Sequence, residues 1–144
     1  MNDVGGQRRI RTFVDSGVLI AAARGNDEQS ERALMILDDP AREFVSSEFV
    51  KLECLPKCIF HRRFAEAEFY NEFFSNVTIV PFTAELVELA FCKAKEYGLS
   101  AVDALHVAAA IKGEADELVT TERTSSPIHR TTSVKVRTIH PTGD

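Results

Sequence analysis

The chain holds only three cysteines, Cys54, Cys58 and Cys92, an odd number with no CxxC unit. That argues against a disulfide framework. Cys54 and Cys58 are four apart and would share one helix face. A zinc pair is conceivable there, but no second ligand pair follows at finger-like spacing, so buried thiols are the expected reading. No apolar run approaches the roughly 20 residues that a membrane span requires. Residues 1–11 are polar and basic and lack the apolar centre of a secretory signal. The expected location is the cytoplasm. There is no repeat, low-complexity tract or linker, and 144 residues fit one domain. The expectation is a single domain over residues 1–144, with residues 1–10 as a loose lead-in.

Charge is unevenly placed. The net charge of −5 is unpromising for a nucleic-acid binder. Residues 64–122, however, carry eleven acids against three bases. Residues 123–143 contain no acid, and Arg123, Arg130, Lys135 and Arg137 are basic. Arg8, Arg9 and Arg11 lie at the other end. An acidic body with basic flanks can hold metal at its centre and phosphate at its rim. Charge alone equally fits solvated faces.

Strand-like and helix-like segments alternate. Residues 11–15 read as a short strand ending in an acid, and residues 18–24 as a helix stopped by Gly25. Asn26 or Asp27 can cap a second helix, with Ala33, Leu34, Ile36 and Leu37 as its buried face. Residues 43–46 are a second strand. Ser47 can cap a helix that carries Phe49, Leu52 and Glu53 and meets Pro56, where a bend or a lost backbone bond is expected. Residues 64–74 form another helix, and residues 76–80 a strand closed by Pro81. Thr83 caps a long amphipathic helix ended by Gly98. Ser100 opens the alanine-rich helix 101–112. Residues 117–120 and 134–139 are the last strands. Strands joined by crossover helices imply a mostly parallel sheet covered on both faces, an α/β/α sandwich. Ligands in such sheets bind at the carboxyl ends of the strands. Asp15 directly follows the first strand, and Glu122 lies two residues beyond the strand ending at Thr120.

Asp15, Glu53, Asp103 and Glu122 are the candidate site. Mg²⁺ and Mn²⁺ are hard cations that take oxygen ligands and keep several waters, so a few carboxylates suffice. One or two such ions can activate water and stabilise a phosphate under attack. Without a cation the cluster would repel itself and raise some carboxyl pKa values. Each acid also has a plainer reading. Asp15 can be a turn or helix cap, and Glu53 a solvent-facing helical acid. Asp103 fits a capping box with Ser100, and Glu122 a loop acid. His106, one turn after Asp103, reads more readily as a packed or hydrogen-bonded histidine than as a ligand.

Four stretches carry a family resemblance. Phe13-Val-Asp15-Ser-Gly-Val-Leu-Ile-Ala-Ala22 resembles the opening motif of PIN domains. Ser100-Ala-Val-Asp103-Ala-Leu-His-Val-Ala-Ala-Ala110 resembles their third acidic motif, and Ala115-Asp-Glu-Leu-Val-Thr-Thr-Glu122 the approach to their fourth acid. Glu53 falls where the second acid belongs. The likeness spans residues 11–140, and the nearest subgroup is the VapC-type toxins of bacterial toxin–antitoxin pairs. It implies a three-layer α/β/α fold and Mg²⁺- or Mn²⁺-dependent cleavage of RNA. By the same resemblance Asp15, Glu53 and Asp103 bind the metal and Glu122 completes the shell. Ser16, and Thr120 or Thr121, would hydrogen-bond carboxylates or water. The implied partners are RNA, an antitoxin and a second copy of the chain. Phe60, Phe64, Phe69, Tyr70, Phe73 and Phe74 can supply an antitoxin surface or core packing.

The chain departs from the family pattern at three places. Glu122 replaces an aspartate, Arg123 follows it where an aromatic is common, and Gly17 stands in the asparagine-like position. The altered fourth motif motivates a second reading, a PIN-fold RNA-binding or scaffold module with weak or no catalysis. A phosphoryl-accepting receiver domain would need a lysine after a late strand, where Glu122 stands instead.

Overall fold

The computed structural model describes residues 8–141. Most of the expected lead-in, residues 1–7, lies outside the described residues. Five strands are joined in the order β3-β2-β1-β4-β5, all parallel. In chain order the elements are β1 (Ile10–Val14), α1 (Ser16–Arg24), α2 (Glu28–Leu37), β2 (Arg42–Ser47), α3 (Glu48–Phe60), α4 (Phe64–Ser75), β3 (Thr78–Val80), α5 (Ala84–Tyr97), α6 (Ala101–Lys112), β4 (Glu117–Thr120) and β5 (Lys135–Thr138). A 3₁₀ turn, Pro127–Arg130, joins the last two strands. None of the described helices is long and apolar enough to cross a membrane.

The topology follows from handedness. The chain moves one way from β1 to β2 to β3, then returns past both to β4. Right-handed crossovers therefore put α1 to α4 on one face and α5 and α6 on the other. Helix packing agrees, because α1 lies against α2, α3 and α4, while α5 lies against α6 and the 3₁₀ turn. The central strands are covered on both faces, so β1 and β4 carry consecutive buried apolar residues. Phe13, Val14, Val45, Leu118 and Val119 are fully buried. Alanines on α6 let that helix approach closely, and Ala104, Ala108, Ala109 and Ala110 are buried with Val107.

Local capping chemistry sets most helix starts. Ser47, Thr83 and Ser100 each accept from a backbone N–H three residues on. Of the two candidates for α2, Asp27 is the cap, accepting from Ser30 N at 2.9 Å. Gly98 ends α5 with φ +70°, a left-handed conformation that costs glycine little. Pro56 does not break α3, which runs on to Phe60. The β3 strand begins at Thr78 rather than at residue 76. Leu34 was expected on the buried face of α2 but is exposed; Ala33 and Ile36 carry that face. Cys54 and Cys58 are buried and unbridged, as expected, and Cys92 is exposed.

At the amino ends of the strands lies a polar cluster absent from the sequence reading. The Arg42 and Glu117 side chains are 4% and 6% exposed and form an ion pair. Arg42 also donates to Thr12 Oγ1 at 2.8 Å and to Asp39 Oδ2 at 3.1 Å. These bonds tie β1, β2 and β4 together below the core. Arg8, before β1, and Arg11, within it, work at this same end. Arg8 pairs with Asp116, and Arg11 pairs with Glu43 and donates to the Gly113 carbonyl. They lie opposite the strand ends that carry the candidate acids, so they do not form part of a rim there.

Candidate functional site

Strand connections leave β1 and β4 towards opposite faces of the sheet. Their carboxyl ends therefore flank the crevice where doubly wound sheets take ligands. Asp15 emerges from β1 and Glu122 from beyond β4, one on each side of it. Helix α3 brings Glu53 from its second turn, and the first turn of α6 brings Asp103.

Asp15 is 8% exposed. Its Oδ1 accepts from Val18 N at 3.1 Å, so the helix-cap reading holds alongside any other role. Burial pushes its carboxyl above the usual aspartate range and Glu122 adds to that. His106, Thr120 and Val18 pull the other way without prevailing. Asp103 is raised by its own burial, then by the charge of Glu122, with Glu53 adding to the effect and His106 and His129 opposing it. Its backbone N–H donates to Ser100 Oγ at 3.3 Å, as the capping pattern anticipated.

Glu53 behaves differently. Burial opposes its ionisation, but hydrogen bonding to His106, the His106 charge and the Ser16 hydroxyl outweigh it, and its carboxyl lies below the usual range. Both bonds converge on one oxygen: Ser16 Oγ donates to Glu53 Oε1 at 2.8 Å and His106 Nε2 to the same atom at 3.1 Å. Oε2 has no protein donor among the described residues. Glu53 is thus only partly solvent-facing, its side chain 25% exposed and tied to Ser16 and His106.

His106 is 3% exposed, between the rings of Phe13 and Phe49. Its bond to Glu53 places a proton on Nε2, and buried Nδ1 has no partner among the described residues. This is the packed, hydrogen-bonded histidine expected from the sequence, with a partner the sequence did not name. Glu122 is exposed. Its backbone N–H donates to Thr120 Oγ1 at 3.1 Å, and His129 Nε2 donates to its carbonyl at 3.1 Å. His129 was missed; only its place after the turn-forming Ser126-Pro127 hinted at it. Gly17 is explained by crowding, because a Cβ there would sit 2.6 Å from Thr121 Oγ1 and 3.3 Å from Asp15 Oδ1.

Asp15, Glu53 and Asp103 thus each feel His106, Asp15 and Asp103 feel Glu122, and Asp103 also feels Glu53. Among the described residues, no three His, Cys, Asp or Glu side chains stand close enough to hold an ion without moving. The donor set still suits a hard divalent cation. Its donors are carboxylate oxygens, and two of the carboxyls are held towards protonation by burial and mutual repulsion, which a cation would reverse.

Comparison with known proteins bears on the fold and the family. No curated protein matches the chain. Several solved structures share its fold. VapBC2 from Rickettsia felis, bound to a promoter DNA fragment, aligns with TM-score 0.64 and 15% identity over 90% of this chain and 98% of that one. A toxin–antitoxin complex from Klebsiella pneumoniae gives 0.61 and 20% over 86% and 98%. VapC20 of Mycobacterium tuberculosis, a toxin that cleaves the sarcin–ricin loop, gives 0.56 and 23% over 74% and 86%. The profile of the PIN domain matches residues 12–124, a span that includes Asp15, Glu53, Asp103 and Glu122. With that match over most of its length, this chain belongs to the PIN domain family.

Proposed function

We propose that the protein is a Mg²⁺- or Mn²⁺-dependent endoribonuclease that acts as the toxin of a toxin–antitoxin pair. The observation that carries this reading is the electrostatic coupling of Asp15 to Glu122, and of Asp103 to both Glu122 and Glu53, at the carboxyl ends of β1 and β4. Family membership and the toxin structures that share the fold support it.

Asp15, Glu53 and Asp103 would hold the ion, and Glu122 would complete the shell. When bound, the ion would supply an activated water and positive charge for the phosphate under attack. The chain's own residues prepare the site. Ser16 and His106 occupy Glu53 Oε1 and so present Oε2. Val18 N fixes one oxygen of Asp15. Thr120 and His129 hold the turn that carries Glu122. The rings of Phe13 and Phe49 pack against buried His106 and so hold the donor of Glu53 in place. Arg123, exposed and next to Glu122, would meet substrate phosphate.

An antitoxin and a second copy of the chain are the proposed protein partners. The second reading, a PIN-fold RNA-binding or scaffold module, draws on the exposed Glu122 that replaces the family's aspartate. Cleavage of total RNA separates the two. The purified chain with Mn²⁺ should cut at defined positions, and Asp15→Asn and Asp103→Asn should not. Equal treatment of RNA by all three proteins would sink the nuclease reading.

A further inference from the structure

The aromatic stretch of α3 and α4 divides in two. Tyr70 and Phe74 are buried, and Phe69 and Phe73 pack against the core. Phe60 is 80% exposed, and Phe64 is exposed with it. Single exposed apolar side chains are common. The surroundings of Phe60 are not. It lines a shallow groove of about 650 Å³ with Leu52, Glu53, Pro56, Lys57 and His61. The groove therefore opens onto Glu53, a residue of the proposed cleavage site.

The end of α3 is also basic. No acid occurs between Glu53 and Glu66, and Lys57, Arg62 and Arg63 are all exposed. None of the three makes an ion pair among the described residues. Backbone bonds from Arg62 N to Ile59 O and from Arg63 N to Cys58 O keep both arginines within a turn of Phe60. Pro56 offers no N–H to the Leu52 carbonyl, leaving an acceptor without its helical donor.

Exposed rings interleaved with cations are the signature of single-stranded nucleic-acid binding. The ring stacks on a base of any sequence, and the cations follow the backbone. An apolar protein segment in the same groove would have to desolvate Lys57 and Glu53 without compensation. A nucleotide offers phosphate to Lys57 and a π-face to Phe60. We infer that this groove is a single-stranded RNA subsite, in which a base flanking the scissile phosphate stacks on Phe60 while its phosphate lies against Lys57, with Arg62 and Arg63 beyond. The inference rests on the proposed nuclease reading and names how that site would grip its substrate.

The test is binding without cleavage. A fluorescein-labelled single-stranded RNA of about ten nucleotides, and the same RNA as a duplex, are titrated with the full chain in EDTA. The single strand should bind more tightly than the duplex. Phe60→Ala should weaken binding about fivefold or more, and Phe60→Trp should restore it. Lys57→Ala should lower the salt dependence by about one unit of slope. An unchanged melting temperature for Phe60→Ala shows that the fold is intact. Equal single-strand affinity for wild type and Phe60→Ala, or no preference over duplex, overturns the subsite; an apolar peptide as occupant would give that first result. A protein that cuts RNA with Mn²⁺ but is indifferent to Phe60→Ala loses only the subsite. One that binds through Phe60 yet never cuts loses only the nuclease reading.

Discussion

Replacing Asp15 by asparagine should make the metal-free protein more stable while removing cleavage. Asp15 is 8% exposed, and its folded carboxyl is raised mainly by burial. An acid whose folded pKa exceeds its unfolded pKa binds protons more tightly when folded. Its ionised form is thus a liability that grows as pH rises from the unfolded value through the folded one. Asparagine has the same shape and no charge, and it can still accept from Val18 N, so the cap on α1 survives. Relief of a poorly compensated buried polar group is on the order of 1–3 kcal/mol. For a chain of this size that is roughly 3 °C or more in Tm. The assay is thermal unfolding followed by circular dichroism in EDTA. At pH 7 Asp15→Asn should melt above wild type, and the gap should close as pH falls towards the unfolded aspartate value of about 4. Asp15→Ala, which loses the cap, should gain less. A variant that melts at or below wild type at pH 7, or a gap indifferent to pH, would refute this reasoning.

Glu117→Leu should destabilise the protein by about 1–3 kcal/mol, because it removes the buried carboxylate partner of Arg42 and leaves the half-buried Asp39 as its remaining one among the described residues; urea midpoints would register the loss. Ser16→Ala removes one of the two donors that fix Glu53 Oε1, so Mn²⁺ affinity measured calorimetrically should fall about tenfold or more. Gly17→Asn restores the family's usual residue but drives a Cβ into Thr121. It should cost about 1–3 kcal/mol in thermal unfolding and should not raise activity.

Elements governed by neighbours in sequence were legible. Ser47, Thr83 and Ser100 announce helix starts because capping acts over three residues. The buried parallel strands announce themselves through short apolar stretches such as Phe13-Val14 and Leu118-Val119, because both faces of the sheet are covered there. What depends on distant partners was not visible. Arg42 and Glu117 are 75 positions apart, and nothing near either predicts their burial as a pair. Glu53 and His106 were each noticed, but the bond between them depends on α3 crossing near the first turns of α6. Leu34 failed for a different reason: periodicity finds an apolar face without fixing its rotation, and on α2 the face turned towards Ala33 and Ile36. The order of the candidate acids was readable from motifs, while the coupling of Asp15, Glu53 and Asp103 to His106 needed the folded sheet.

Calorimetric titration of the purified chain with Mn²⁺ bears most directly on the shared cation. Wild type and the surface control Glu88→Gln should show one saturable binding isotherm, and Asp15→Asn and Asp103→Asn should each lose at least tenfold in affinity, as carboxylate ligands of a common ion must. Identical isotherms for all four proteins, or no saturable binding in any, would contradict the account.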